Sequence, residues 1–226
     1  MIAVVASAHD VRALRIAAHW GSQCAAILSA EDLCMPGWAL QVPPGPSATA
    51  VIGGRTVPAK QIRGILTLRP CIFPEELPNI QSAHRKYVAA ELNAFLLAWL
   101  AAQSCPVLNR PTACCLAGPN WRPEQWAQAA ARLGIPAHSR RNVPNEDIVP
   151  NAEETLEVIA VGEQCFGFDD SMLRDRTLKL AEAAAVELLS VRFSADRGRF
   201  LSASEWPSLR DPAVLETVRQ RLASSR

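Results

Sequence analysis

The chain has 226 residues, 49% of them hydrophobic, and a formal net charge of +1, which suffices for one large core or two small ones. The near-neutral balance excludes a whole-molecule field for nucleic acid, and Arg140-Arg141 is too short a basic run to supply one. Membrane insertion is excluded in the same way: Arg85, Lys86 and Glu91 interrupt the most apolar stretch before it reaches the roughly 18–20 residues that cross a bilayer.

In chain order, Met1 to Ser7 reads as a buried strand, without the basic segment of a secretory signal, so a soluble cytoplasmic protein is expected. Asp10 to Trp20 has helical periodicity, with Asp10 as its N-cap and Val11, Leu14, Ile16, Ala17 and Trp20 facing inward. Cys24 to Leu28 is the next strand. Met35 to Ser47, with Pro36, Pro43, Pro44 and Pro46, is an extended loop around a short strand at Trp38 to Val42. Thr49 to Pro58 is a hairpin turning at Gly53-Gly54, and Ile62 to Leu68 is a strand that ends at Arg69-Pro70. Gln81 to Cys105 lacks Gly and Pro and is rich in Ala and Leu, which predicts one long helix. Its apolar positions cover so much of the circumference that burial all round is expected. Pro106-Val107-Leu108 is then a strand turning at Asn109-Arg110-Pro111. This alternation of strands and helices predicts an open α/β layer over residues 1–111.

Pro123 opens a helix that runs to Leu133 and is closed by Gly134. Residues 112–150 thus form a connecting helix and a polar linker without a core pattern. Residues 151–226 form a small α+β lobe: a hairpin of Thr155 to Ala160 and Gln164 to Phe168, a helix from Met172 to Leu189, strands Val191 to Phe193 and Arg199 to Ala203, and a closing helix from Pro212 to Leu222.

Few chemical signatures stand out. The seven cysteines fit no C-x-x-C or Cys/His metal spacing, so reduced core thiols, including Cys114-Cys115, are expected. His9, His19, His84 and His138 lack ligand-spaced partners, and no metal or other cofactor is expected. No Gly-x-Ser-x-Gly or Walker-type loop occurs. Arg69, Glu91, Asn109 and Arg110 sit at or near strand ends, where open α/β sheets collect ligands. Two guanidiniums there match a carboxylate or phosphate; the plainer alternative is a surface ion pair beside a turn asparagine. Trp121 and Trp126 flank Pro123 as either partner-binding anchors or core closure.

The order Arg69-Pro70, the helix carrying Glu91, Pro106-Val107-Leu108-Asn109-Arg110-Pro111, and Gln125-Trp126-Ala127-Gln128-Ala129 to Leu133-Gly134-Ile135-Pro136 resembles the entry region of ATP-grasp ligases of the ribosomal-protein modification type. In those proteins a pre-ATP-grasp domain ends in a "wlN-x-P" strand and is followed by a helix ending in "lGi-x-P". Leu156 to Phe166, Leu178 to Leu189 and Val191 to Ala203 are similar to the family's "vvg-x-x-v" strand pair, "lA-x-x-lGl" helix and closing hairpin. The resemblance implies a pre-ATP-grasp-like open-sheet lobe followed by a truncated, α+β grasp lobe.

The departures set the functional expectation. Where the family carries a phosphate-contacting lysine behind an asparagine, Trp121 follows Asn120. The lid has no room between Ile135 and Leu156. The aspartate expected on the closing hairpin falls at Arg192, and the Glu-x-Asn metal pair at Ser202-Ala203-Ser204. ATP-grasp chemistry needs cations to neutralise the acyl-phosphate step. The resemblance therefore implies a degenerate, lid-less relative: a non-catalytic accessory subunit that binds a substrate, a partner protein such as an active ATP-grasp enzyme, or both, in peptide or metabolite modification. The alternative is a small-molecule enzyme or binding protein holding an anion through Arg69 and Arg110.

Overall fold

The computed structural model describes residues 1–41, 45, 47–137, 155–196 and 198–224. They fall into two compact units, Met1–Pro119 with Ser208–Arg226, and Asn120–Pro207.

Unit 1 is built on a parallel sheet. Strand β1 (Ile2–Val5) lies between β2 (Ala25–Leu28) and β5 (Gly64–Thr67), with β6 (Val107–Leu108) outside β5. β1 and β5 are buried at every position, which is why both are unbroken runs of small or apolar residues up to Thr67. Helix α1 (Val11–Trp20) connects β1 to β2. Asp10 caps it, accepting the N–H groups of Arg12 at 2.8 Å and Ala13 at 3.3 Å, and Gly21 closes it at φ 83°. Burial corrects two assignments of its inner face: Ala13, Ile16 and Trp20 are buried, whereas Val11 and Leu14 are exposed.

A short helix that periodicity does not reveal, α2 (Ala30–Leu33), follows β2. It is held by a capping box, Ser29 against Asp32. The same Asp32 carboxylate accepts the N–H groups of Gly53 at 3.3 Å and Gly54 at 2.7 Å. Those glycines, at φ 60° and 73°, make the turn between β3 (Thr49–Ile52) and β4 (Arg55–Pro58). One buried acid thus ties the hairpin to α2. In place of a strand at Trp38 to Val42 there is a single bridge from Ala39 to Thr49, and Val42 lies outside the described residues.

Helix α3 (Arg85–Ala102) links β5 to β6 and drives Leu96, Trp99 and Leu100 into the core beside Val5, Ile65 and Val107. Each such side chain contributes about 2–3 kcal/mol by burial. The helix is not buried all round, as its composition suggests. Lys86, Tyr87, Ala90, Glu91, Ala94, Ala98 and Ala101 form an exposed flank. Most of these are alanines, chosen as readily for helix propensity as for burial. Helix α6 (Pro212–Ala223), which the sequence groups with the second lobe, packs against β5 in unit 1. A Cβ on Gly64 would meet the Leu222 carbonyl oxygen at a clashing separation, so only glycine allows this close approach.

Unit 2 is an antiparallel sheet in the order β10-β9-β7-β8, from β7 (Thr155–Val161), β8 (Gln164–Gly167), β9 (Leu188–Ser194) and β10 (Phe200–Ser204). Helices α4 (Pro123–Arg132) and α5 (Ser171–Ala183) pack on it. Trp126, Ala130, Leu173 and Leu180 meet Val158, Leu189, Val191, Phe193 and Phe200 in its core. α5 is shorter than the predicted helix to Leu189. It ends at Ala183, Ala185 turns at φ 52°, and Leu188 to Val191 pair with β7. Helix propensity at Ala183-Ala184-Ala185 yields to strand pairing, a tertiary override. Ile135, expected in a linker, is buried in this core, and Phe200 donates its N–H to Pro136 at 2.7 Å. The linker from residue 138 to 154, and with it the expected loss of the lid, lies outside the described residues.

Candidate functional site

β5 and β6 end side by side, Leu66 opposite Leu108, so Arg69 and Asn109 leave the sheet at the same carboxyl edge. Both are buried. Arg69 is engaged locally: Nε donates to Cys71 O at 2.8 Å, Nη2 pairs with Glu76, and the guanidinium lies 6.0 Å from the Phe73 ring centroid. Nη1, and the nearby Thr67 hydroxyl, are buried without hydrogen bonds. Arg69 therefore clasps the 3₁₀ turn Pro74–Glu76. Arg110 is exposed, and its carbonyl accepts the Gly118 N–H at 3.0 Å. Of the four strand-end residues, Arg69, Asn109 and Arg110 are thus gathered at one edge, and Glu91 stands on the exposed flank of α3.

None of the seven cysteines forms a disulfide, and Cys115 alone of them is fully buried; Cys24, Cys34 and Cys114 are exposed. The sequence expectation of core thiols is corrected to that extent. Burial pushes the thiols of Cys34, Cys71, Cys105 and Cys165 up, which keeps them protonated and weakly nucleophilic.

In unit 2 the alternation of the strands separates two faces. Leu189, Val191 and Phe193 of β9 enter the core, so Ser190 and Arg192 lie on the other side. There Glu157, Arg192 and Ser202 form one cross-strand row, and Ile159, Ser190 and Ser204 the next. Ser190 donates to Glu157 Oε1 at 2.6 Å. Arg192 and Ser202 are exposed, Glu157 and Ser204 half-buried. This donor set, one guanidinium, three hydroxyls and a single carboxylate, does not fit Mg²⁺, which takes carboxylate and other oxygen ligands and is repelled by an arginine.

Trp126 is buried in the core of unit 2, and Trp121 packs on it edge-on, ring centroids 4.8 Å apart. A residue that carries no sequence signal lies beside them. Glu205 is 3% exposed, with Oε1 lacking a hydrogen bond. Burial pushes its carboxyl up, partly offset by its own backbone amide and those of Trp121 and Asn120. It joins the segment that enters unit 2, at Asn120 and Trp121, to the one that follows β10.

A groove on unit 1, also unread in the sequence, runs beside α3. Leu33, Met35, Pro36, Gly37 and Trp38 face Glu91, Leu92 and Phe95 across about 450 Å³. Trp38 meets Phe95 edge-on at 5.1 Å and Trp99 at 5.6 Å, and its Nε1 donates to Asp32 O at 2.8 Å. The Ser29-x-x-Asp32 capping box was the available signal for the wall of this groove.

No family model matches the sequence, and no curated protein does. Solved structures do match. The macrocyclase MdnC of Microcystis aeruginosa MRC, bound with its precursor peptide MdnA, aligns at TM-score 0.68 and 11% identity over 98% of each chain. A RiPP-associated ATP-grasp ligase of Chryseobacterium gregarium, in complex with ADP and a leader and core peptide, aligns at TM-score 0.65 and 9% identity, covering 98% of this chain and 96% of its own. A RimK domain ATP-grasp protein of Sphaerobacter thermophilus DSM 20745 aligns at TM-score 0.55 and 11% identity over 99% of each. Matched over nearly its whole length, this chain, with its parallel-sheet unit followed by an antiparallel-sheet unit, has the fold of the ATP-grasp ligases.

Proposed function

We propose that the chain is a non-catalytic, lid-less ATP-grasp-like accessory subunit that binds a peptide or a partner protein in a peptide-modification pathway. The observation that carries this reading is the row Glu157, Arg192, Ser202 on the polar face of unit 2. Phosphoryl chemistry draws on cations held by carboxylates, and the positions that the family resemblance marks for them carry Arg192, Ser202 and Ser204. An arginine keeps its charge at any working pH and so opposes a metal there. Trp121, at the position of the family's lysine, packs edge-on against Trp126. The peptide part of the reading rests on the solved neighbours, two of which hold precursor, leader or core peptides.

The test is a calorimetric titration of the purified chain with ATP and Mg²⁺, together with a phosphate-release assay. Neither Mg²⁺-dependent binding nor release above the buffer rate is expected. Native mass spectrometry of the protein isolated gently from its own host is expected to show a stoichiometric second chain. A lone chain retaining ADP and Mg²⁺, or sustained phosphate release, overturns the reading.

A further inference from the structure

The groove on unit 1 continues past Met35 into a second hollow of about 270 Å³, bounded by Glu31, Cys34 and the segment Glu76 to Ile80. The floor of the pair is apolar: Trp38, Leu92, Phe95 and Leu77. Met35 stands between the hollows, 43% exposed, and its unbranched thioether adapts to varied side chains. The lining charges are acidic, and Arg85, outside the lining, is held by the carbonyls of Ile80 at 2.8 Å and Pro78 at 3.0 Å. Among the described residues the charged side chains lining the two hollows are Glu31, Glu76 and Glu91, with no Lys, Arg or His. Glu76 is paired with Arg69, and Glu31 and Glu91 are exposed at the rim.

We propose that this groove docks a peptide segment in which a large apolar side chain, seated between Met35, Trp38 and Phe95, is flanked by lysine or arginine reaching Glu31 and Glu91. The inference rests on the peptide-binding part of the reading above and names the chemistry of the peptide. Charge complementarity selects the occupant. Two rim carboxylates repel nucleic acid, anionic lipid and acidic peptides, while they steer a basic segment toward the apolar floor. The volume of the larger hollow suits one or two bulky side chains. The wall is held in place beforehand, because Trp38 is bonded to Asp32, whose carboxylate is fixed by Ser29 and the Gly53-Gly54 turn. Little ordering cost then falls on binding.

The test uses the full chain and a fluorescein-labelled twelve-residue peptide with adjacent Leu and Phe flanked by lysines, followed by anisotropy, with a counterpart carrying glutamates in place of the lysines. The lysine peptide is expected to bind saturably and the glutamate peptide about tenfold more weakly or less. The double substitution Glu31→Gln with Glu91→Gln, and separately Met35→Ala, each weaken the lysine peptide by about tenfold. All three positions are exposed, and circular dichroism checks that the variants remain folded. Equal affinity for both peptides, no binding of either, or binding untouched by these substitutions overturns the proposal. Phosphate release by the same preparation separates the two claims: turnover overturns the non-catalytic reading, whereas failed peptide binding without turnover overturns the groove alone.

Discussion

In unit 1 the central strands β1 and β5 are buried from end to end, whereas in unit 2 strand β9 presents Leu189, Val191 and Phe193 to the core and Ser190 and Arg192 to the other side. The parallel sheet, joined by crossover helices, leaves neither face of its centre for a ligand. The surfaces it leaves open are the carboxyl edge and the helix flanks, where the acidic groove proposed to dock a peptide is found. The antiparallel sheet, with helices on one face, keeps a polar face on which chemistry can be read strand by strand. The difference in exposed sheet surface between the units thus follows from strand direction.

The largest expected effect tests whether each core serves its own unit. Trp99→Ala in unit 1 and Phe193→Ala in unit 2 each remove a fully packed aromatic and cost about 4 kcal/mol. Hydrogen exchange read by mass spectrometry is expected to lose protection first in Met1–Pro119 and Ser208–Arg226 for one, and in Asn120–Pro207 for the other. Protection lost equally in both units would break the comparison.

A smaller effect concerns Glu205. Because burial raises its carboxyl above the ordinary value of 4.5, the folded unit binds a proton more tightly than the unfolded chain. The stabilisation is complete below the unfolded value and is lost as pH rises through the folded one. Unit 2 should therefore lose denaturant resistance as pH rises above the ordinary carboxyl value and through the raised one, and Glu205→Gln should flatten that slope. An identical slope in the variant would assign the pH dependence elsewhere.

The smallest effect belongs to the polar face. Arg192→Ala changes stability by no more than about 0.5 kcal/mol, as for an exposed side chain without a structural role. Chemical denaturation checks this, and a loss above about 1 kcal/mol would mean that the face is part of the packing of unit 2.

Much of the fold was legible where one local rule spoke alone. Asp10 as a cap, the Gly53-Gly54 turn, Pro123 opening α4 and Gly134 closing it at φ 70° all stand where the sequence puts them. Legibility failed where two rules compete. The alanines of α3 satisfy both helix propensity and burial, and their exposure is decided by what packs against them. The alanines after Leu180 are good helix formers, but the pairing of Leu188 to Val191 with β7 ends the helix early. At the candidate sites the residues at the carboxyl edge were visible from the strand ends. The commitment of Arg69 to Glu76 was not, since it depends on a 3₁₀ turn seven residues on. The burial of Glu205 arises from long-range packing and leaves no local pattern, and of the groove around Met35 and Trp38 only the Ser29-x-x-Asp32 capping box of its wall is local.

The contact between Gly64 and Leu222 bears on the order in which the protein takes shape as it is synthesised. β5 is made before unit 2, but the helix that lies against it is made after every residue of unit 2. A nascent chain emerging N-terminus first exposes that side of the parallel sheet to chaperones and to other nascent chains throughout the synthesis of the intervening unit. Unit 1 is begun before unit 2 and completed after it.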